Sequence, residues 1–340
     1  MDKRHPMDKN RSMDTALLRV EGLTKEFKGP DNRPIRAVSH VSFSIGKGET
    51  LGLVGESGCG KSTLARALML LPGPDSGRIL FNVRENHTTH ALGGPIDLAA
   101  MAEKKLRRLR PRFQMVFQDS LSSLNPRRTI QETLAAPLNA MGITQPTKTK
   151  ARVLEMLSCV GMEAAGGHLR PHQLSGGQCQ RIQIARALMT DPELLICDEP
   201  VSALDVSIQA QILNLLADLR DARNLTMLFI SHDLAVVKHI CDKVAVMHQG
   251  ILCEEAPCDT LYDSPCHPYT QALLAAVPTL DPHPVPEDLP GIGPGASGEI
   301  SLSHGCSYRI RCPRATHICG EIPPPFRRIT PHHKVACHHP

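Results

Sequence analysis

One nonapeptide limits this chain more than any other stretch. It is Gly55-Glu56-Ser57-Gly58-Cys59-Gly60-Lys61-Ser62-Thr63, set between the apolar run Leu51-Gly52-Leu53-Val54 and the helix-forming Leu64-Ala65-Arg66-Ala67-Leu68-Met69-Leu70. A strand, a glycine-rich loop and a helix in that order is the context in which such a loop binds phosphate. The glycines let the backbone curl so that successive N–H groups point at an anion. The positive end of the helix dipole then lies beneath it. In this reading Lys61 reaches the β- and γ-phosphates and the Ser62 hydroxyl holds Mg²⁺. The bland alternative, a glycine-rich turn, is weakened by the flanks.

The chain's 340 residues allow two domains, or one large domain with an appendage. At 41% hydrophobic and 21% charged residues the composition is that of an ordinary soluble protein. Trp is absent and aromatics are 3%, so aliphatic side chains must fill the core. A net charge of +4 is too mild for a nucleic-acid binder, which carries a dense basic face. The cluster Lys104 to Arg112 reads as a solvated helix face. No apolar run is long enough to span a bilayer. Met1 to Asp14 lacks a hydrophobic segment, so residues 1–15 read as a disordered leader rather than a secretory signal. A cytoplasmic location is expected. There the twelve cysteines read as free thiols or metal ligands. Cys159 and Cys197, in apolar runs, read as small buried hydrophobes.

From Leu17 to Glu49 apolar and polar residues alternate, and Gly46-Lys47-Gly48-Glu49 reads as a turn, which predicts half-exposed antiparallel strands. Arg78-Ile79-Leu80-Phe81 and Met115-Val116-Phe117-Gln118 read as further strands, and about 129–188 as helical, with Val153, Leu154, Leu157 and Val160 on one stripe. Leu194-Leu195-Ile196-Cys197 and Thr226-Met227-Leu228-Phe229-Ile230 do not alternate, as expected of strands buried on both faces of a parallel sheet. They end in Asp198-Glu199 and in Ser231-His232-Asp233. With 55–63, three apolar strands deliver reactive groups at their C-terminal ends, where open α/β sheets bind ligands. Beyond Pro257, prolines 278, 282, 284, 286, 290 and 294 read as a linker or wrapping segment, and Gly305 to Pro340 is rich in Cys and His.

Asp198 is placed to accept hydrogen bonds from Mg²⁺-bound water, and Glu199 to polarise an attacking water as general base. Gln118 can carry its amide to the metal or the water, and His232 can contact the γ-phosphate. Alone, Glu199 would read as a surface residue and His232 as structural. Leu174-Ser175-Gly176-Gly177-Gln178 precedes the helical Arg181 to Leu188, and two glycines at a helix start form a second exposed anion site.

The loop 55–63, then Leu174 to Gln178, then Asp198-Glu199, in that order, resembles the nucleotide-binding subunit of an ABC transporter from about Leu17 to Glu255. The resemblance implies an α/β fold of the P-loop NTPase (RecA-like) class over residues 16–256. It has an antiparallel β subdomain, a helical signature subdomain at about 120–190 and a C-terminal Cys-rich extension. It implies that Phe27 stacks on the adenine of ATP with Val38 beside it, and that Gly55, Ser57, Gly58, Cys59, Gly60, Lys61, Ser62 and Thr63 surround the phosphates. Ser175, Gly176, Gly177 and Gln178 would be the signature, Ser202-Ala203-Leu204-Asp205 the D-loop, Gln118 the Q-loop glutamine and His232 the switch histidine. Mg²⁺ would fall to Ser62, Gln118 and Asp198, and catalysis to Glu199, His232 and Gln118. Cys179 stands where Arg is more usual, with little consequence expected. In that family two domains clasp two ATP molecules head to tail. A chain with one P-loop and one signature would therefore pair with a second, identical or homologous, ATPase subunit.

The C-terminal region narrows the resemblance. His267-Pro268-Tyr269-Thr270-Gln271-Ala272-Leu273-Leu274, with Ser123-Leu124-Asn125-Pro126-Arg127 near the Q-loop, resembles the ATPases of oligopeptide and dipeptide importers, whose relatives also serve nickel and opines. This implies two integral membrane permease subunits, a solute-binding protein, no nucleic acid, and a peripheral place on the cytoplasmic face of the inner membrane. The extension spans 257–340, and its Cys-rich segment 305–340 holds Cys306, Cys312, Cys319 and Cys337, spaced C-x5-C-x6-C-x17-C. Four thiolates suit Zn²⁺ or a [4Fe–4S] cluster, and the spacing matches neither the usual zinc pairs nor bacterial ferredoxin. The resemblance implies a [4Fe–4S] cluster, with zinc as the alternative and His304, His317 and His332 to His339 as further ligand candidates. Two other readings fit less well. Non-transport ABC ATPases of DNA repair or translation tend to carry two cassettes or a long coiled-coil insertion, and a Cys-rich binding module leaves most of the chain unexplained.

Overall fold

A computed structural model describes residues 16–29, 32, 34–82, 94–119, 122–277 and 305–340. The expected leader 1–15, the proline-rich stretch 278–294 and His304 lie outside the described residues.

The alternating N-terminal sequence folds into β1 (Ala16–Lys28) and β2 (Pro34–Gly46), paired antiparallel. After the turn at 46–49 the chain enters β3 (Thr50–Val54), buried along its whole length, and α1 (Lys61–Leu68) starts within the glycine loop. Next come β4 (Ser76–Phe81) and β5 (Ile96–Asp97), which complete a four-stranded sheet in the order β2-β1-β4-β5. The basic cluster forms α2 (Glu103–Leu109), of which only Leu106 is buried, as a solvated face requires. It leads into β6 (Phe113–Val116).

The expected helical region divides into α3 (Ile130–Ala140), α4 (Pro146–Cys159) and α5 (Gly176–Leu188). Thr129 caps α3 through a reciprocal box with Glu132, and Pro146 opens α4 where its missing N–H costs nothing. The remainder of the cassette is β7 (Leu194–Asp198), α6 (Val206–Arg223), β8 (Thr226–Ser231), α7 (Leu234–Ile240), β9 (Lys243–His248) and β10 (Ile251–Pro257). Beyond it follow α8 (Cys258–Asp263), α9 (Pro268–Ala275), α10 (His317–Glu321), β11 (Arg327–Thr330) and β12 (His333–Val335).

The second sheet runs β11-β12-β10-β9-β3-β8-β7-β6, with β9, β3, β8, β7 and β6 parallel. The non-alternating runs are explained by two cores, one on each face of these strands. Leu195, Cys197, Met227, Phe229, Val244 and Val246 point into the core shared with α5, α6 and α7. Their neighbours Leu194, Ile196, Leu228, Ile230, Ala245 and Met247 point into the core shared with α1 and the four-stranded sheet. Each buried Leu, Ile, Val, Phe or Met among them contributes about 1.5–3 kcal/mol, so the parallel strands are heavily fixed from both faces.

The C-terminal segment is not a loose appendage. β12 pairs antiparallel with β10, matching Glu254 with Val335 and Glu255 with Lys334, and thereby extends the main sheet. Glu254 fastens this junction although it is completely buried. Its carboxylate accepts the backbone N–H groups of Cys266 at 2.7 Å and His267 at 3.0 Å, and His333 Nε2 lies 2.7 Å from it. One acid thus joins β10, the start of α9 and β12. Glu254→Ala should lower the unfolding free energy by about 3–5 kcal/mol, because it leaves buried polar partners without an acceptor. Urea unfolding of the full chain measures this, and a loss below about 1 kcal/mol would remove Glu254 from the account.

Candidate functional site

The topology brings the predicted strand-end residues to one edge of the parallel sheet. Val54 of β3 is matched with Ser231 of β8, and Asp198 of β7 with the preceding Ile230, with the end of β6 next to β7. At the first of these ends the loop 55–63 wraps Lys61. The Lys61 ammonium is buried and donates to the carbonyls of Gly55 at 2.7 Å and Glu56 at 2.9 Å, with Cys59 Sγ at 3.8 Å. Gly60 has φ 107°, and a Cβ there would stand 2.2 Å from the Ala37 carbonyl oxygen, so only glycine fits. Ser57 and Gly58 are exposed at the loop crest, while Cys59 is buried and burial pushes its thiol up. Ser62 and Thr63 follow at the first turn of α1.

Ser62 donates its hydroxyl to Asp198 Oδ1 at 2.8 Å, which joins the loop to β7. Burial pushes the Asp198 carboxyl up, and the Ser62 hydrogen bond pulls against that shift. A hydroxyl and a desolvated carboxylate side by side are a donor set suited to Mg²⁺, which takes oxygen ligands and usually one or two protein groups. Glu199, the next residue, adopts φ 47°, a strained backbone for a non-glycine residue. Its N–H donates to the Ile230 carbonyl at 3.0 Å, which ties it to β8. Gln118 Nε2 donates to Glu199 Oε2 at 3.0 Å, and His232 Nδ1 lies 3.3 Å from the same oxygen. The three residues expected to be catalytic therefore meet at one carboxylate.

Ser175 caps α5, accepting the Gln178 N–H, while the Gln178 side chain accepts the Ser175 N–H at 2.9 Å. Ser175, Gly176 and Gln178 are exposed, and Gly177 is buried against Ile208 of α6. Among the described residues no hydrogen bond or ion pair joins 175–178 to 55–63. The start of α5 thus faces outward, apart from the loop 55–63. Asp205 caps α6 by accepting from Ile208 N at 3.0 Å and from the Ser207 hydroxyl at 2.7 Å, contacts that hold its carboxyl below the usual range. Phe27 is exposed on β1 with Lys25 Nζ 5.7 Å from its ring centroid, whereas Val38 is fully buried and turns into the core. Cys179 is buried too, its thiol donating to the Pro171 carbonyl at 3.6 Å.

Cys306, Cys312, Cys319 and Cys337 line one small cavity with His267 and His338. Burial pushes the thiols of Cys306, Cys312 and Cys337 up, and the neighbouring cysteines push each of these three further the same way. Gly305 has φ 83°, and a Cβ there would meet the Cys319 carbonyl oxygen at 2.3 Å, so the cradle closes only around glycine. A separate trio, Glu254, Cys266 and His333, places three possible ligand atoms within 4.8 Å of one another. The His333–Glu254 hydrogen bond accounts for most of that closeness.

Two parts of the site escaped sequence reasoning. On α5, Gln183 donates to the Ser123 hydroxyl and Arg186 to the Ser123 carbonyl, each at 2.9 Å, binding the segment after Gln118 to the helix that begins at 176. Tyr269 Oη accepts the N–H of Glu56 at 2.9 Å, so a residue of the C-terminal region touches the phosphate loop. A helical stripe of apolar residues carries no sign of either contact. The pattern at 267–274 was legible only as a pattern.

A model of the ABC transporter family matches residues 38–202, and one described as the oligopeptide/dipeptide transporter C-terminal region matches residues 253–319. The oligopeptide transport ATP-binding protein AppF of Bacillus subtilis is 46% identical over 306 residues, covering 89% of each chain. A probable peptide ABC transporter ATP-binding protein, y4tS of Sinorhizobium fredii, is 45% identical over 96% of this chain and 90% of its own. Among solved structures, the dimeric ATP-binding cassette MJ0796 bound to ADP and Pi superposes with a TM-score of 0.61 at 27% identity, covering 71% of this chain and 98% of its own. CbiO1 of Clostridium perfringens, part of the transporter complex cbiONQ, gives 0.61 at 28% identity, covering 74% and 92%. No helix among the described residues is long and apolar enough to cross a membrane.

Proposed function

The chain belongs to the ATP-binding subunits of ABC transporters, in the group that carries the oligopeptide/dipeptide C-terminal region, and from that premise we propose how it uses ATP to energise peptide import. It is an ATPase whose work is transport through separate membrane subunits. The observation that carries the reading is the meeting of Ser62 with Asp198, and of Gln118 and His232 with Glu199, at adjacent ends of a parallel sheet. Packing alone gives no reason for a carboxylate at a strained φ to gather an amide and an imidazole.

In the proposed mechanism the N–H groups of 55–63 and the start of α1 bind the ATP phosphates, and Lys61 turns from its carbonyl partners to the β- and γ-phosphates. Ser62 and Asp198 would hold Mg²⁺, with Gln118 completing the set. Bound Mg²⁺ supplies neutralisation of the phosphate charge. Glu199 accepts a proton from the attacking water, while Gln118 and His232 fix its carboxylate and report on the γ-phosphate. Phe27 offers the exposed ring for adenine, while Val38, expected beside the nucleotide, is buried in the core. Ser175, Gly176, Gly177 and Gln178 face outward to complete the P-loop of a second ATPase subunit, identical or homologous, with Asp205 at that boundary. Closure then depends on ATP, and loss of the γ-phosphate releases it. Two permease subunits and a solute-binding protein complete the transporter, with this chain peripheral on the cytoplasmic face of the inner membrane. Nickel or an opine is the alternative cargo.

Four thiols lining one cavity support a [4Fe–4S] cluster on the tail, with Zn²⁺ as the alternative. Zinc–sulfur bonds of about 2.3 Å put the sulfurs of a tetrahedral site about 3.8 Å apart. Among the described residues the trio of ligand atoms within 4.8 Å of one another is Glu254, Cys266 and His333, so no three of the sulfurs of Cys306, Cys312, Cys319 and Cys337 are drawn together as a tetrahedral zinc site would draw them. The cluster's role here is a structural clip on the tail.

Three outcomes follow. Glu199→Gln should retain ATP binding and lower turnover by roughly 10²–10⁴-fold; steady-state hydrolysis at the unaltered rate would reject the base assignment. The purified chain should contain iron and acid-labile sulfide, lost when Cys312 becomes Ser; stoichiometric zinc without iron would decide for the other metal. In vesicles holding the assembled transporter, peptides presented by the binding protein should stimulate ATP hydrolysis, whereas stimulation by nickel or an opine alone would reassign the cargo.

A further inference from the structure

The C-terminal region reaches the phosphate loop at a second point besides Tyr269. Arg311 Nη2 donates to both carboxylate oxygens of Glu56, at 2.9 and 3.0 Å. Glu56 is the second residue of the loop 55–63, so an acid sits within the segment that must receive a triphosphate. Arg311 lies between Cys306 and Cys312 in sequence, on the cysteine-rich turn. Both side chains of the pair are 29% exposed, which leaves their interaction only partly screened.

The surroundings make Arg311 the cation assigned to this acid. Among the described residues, the ion pair that Glu56 makes is with Arg311. His248 also faces the pair, its Nε2 3.5 Å from Arg311 Nη2. Burial first, and then the Arg311 charge, pushes His248 down to about 3, so its ring is neutral and adds no compensating charge. Lys61 contacts the backbone carbonyl of Glu56 rather than its carboxylate. The position of Arg311 is itself held firmly. Tyr308 packs edge-on to His248 at 5.5 Å and against Tyr269 at 5.3 Å, Ser307 Oγ lies 2.8 Å from His248 Nδ1, and the Arg311 guanidinium lies 5.5 Å from the Tyr308 ring.

We propose that Arg311 is a positioning residue of the nucleotide site: by neutralising Glu56 from the C-terminal region it lets the phosphate loop accept the polyphosphate of ATP, so the tail is a working part of the ATP site. The inference rests on the reading of 55–63 as the ATP-binding loop. Without Arg311, the Glu56 carboxylate faces the incoming phosphates uncompensated. Like charges a few ångströms apart in a partly solvated site weaken binding by an amount that salt reduces.

The test is equilibrium binding of ATP to the full chain, at low and physiological salt, for Arg311→Gln, Arg311→Lys, Glu56→Gln and the double variant. Arg311→Gln should weaken ATP binding by about three- to tenfold, more at low salt, and Arg311→Lys should recover most of that loss. Glu56→Gln alone should bind ATP more tightly than the unaltered chain. The double variant should bind ATP nearly as tightly as Glu56→Gln alone, because the acid that Arg311 offsets is gone and the loss from Arg311→Gln appears only where Glu56 is present. An equal loss from Arg311→Gln in the presence and absence of Glu56, or no loss at all, would overturn the proposal. Should Arg311→Gln fold poorly, Glu56→Gln decides alone, and weaker binding there would overturn it. The unaltered chain and Lys61→Ala run alongside: failure of the unaltered chain to bind ATP would overturn the ATP reading itself, and the inference with it.

Discussion

The hydrogen bond from Ser62 to Asp198 joins the two halves of the chemistry: a loop that can cradle phosphate and a strand that ends in acids. It exists because β3 and β7 flank β8 in one parallel sheet and finish at the same level. That sheet is fixed by apolar side chains on both faces, so the polar groups at its edge stand on the least deformable part of the fold. Everything mobile in the proposed cycle is hung from this edge. Glu199 follows Asp198 directly, Gln118 follows β6, and His232 follows β8. The strained backbone at Glu199 is tolerated because its N–H is anchored to β8.

A second link ties this edge to the helical subdomain. Gln183 and Arg186 grip Ser123 from α5, whose N-terminus carries Ser175 to Gln178. A displacement of the Gln118 segment, which touches Glu199, therefore has a direct route to the outward-facing helix start. This is a route by contact; the two arrangements it would connect are the open and ATP-closed states of the proposed dimer. The tail supplies a third link, through Glu254 to the sheet and through Tyr269 to the phosphate loop. The three links make the cassette and its C-terminal region one mechanical object.

Much of this was legible in the sequence. Leu194 to Cys197 and Thr226 to Ile230 could be read as doubly buried strands because no polar residue interrupts them, and the structure puts alternate residues into two different cores. The polar residues that follow them could be placed at one edge by the parallel-sheet rule alone. What stayed hidden depends on contacts between distant segments. Arg311 and Glu56 are 255 residues apart, and nothing in the local pattern of either announces the other. Val38 shows the opposite case, a residue expected beside the nucleotide that the β2 alternation turns into the core. The junction of β12 with β10 was also unreadable, since β12 has three residues and no strand signal of its own.

In the proposed dimer one chain holds half of each ATP site, and its helix start at 175–178 serves another subunit. The most direct measurement compares ATP binding by the isolated chain with ATP hydrolysis by the assembled transporter, each carrying Ser175→Arg. The expected result is unchanged ATP affinity in the isolated chain and hydrolysis in the assembly reduced by roughly 10²-fold, the scale for losing a phosphate-facing contact in a closed site. A fall in the isolated chain's own ATP affinity, or hydrolysis in the assembly at the unaltered rate, would contradict it.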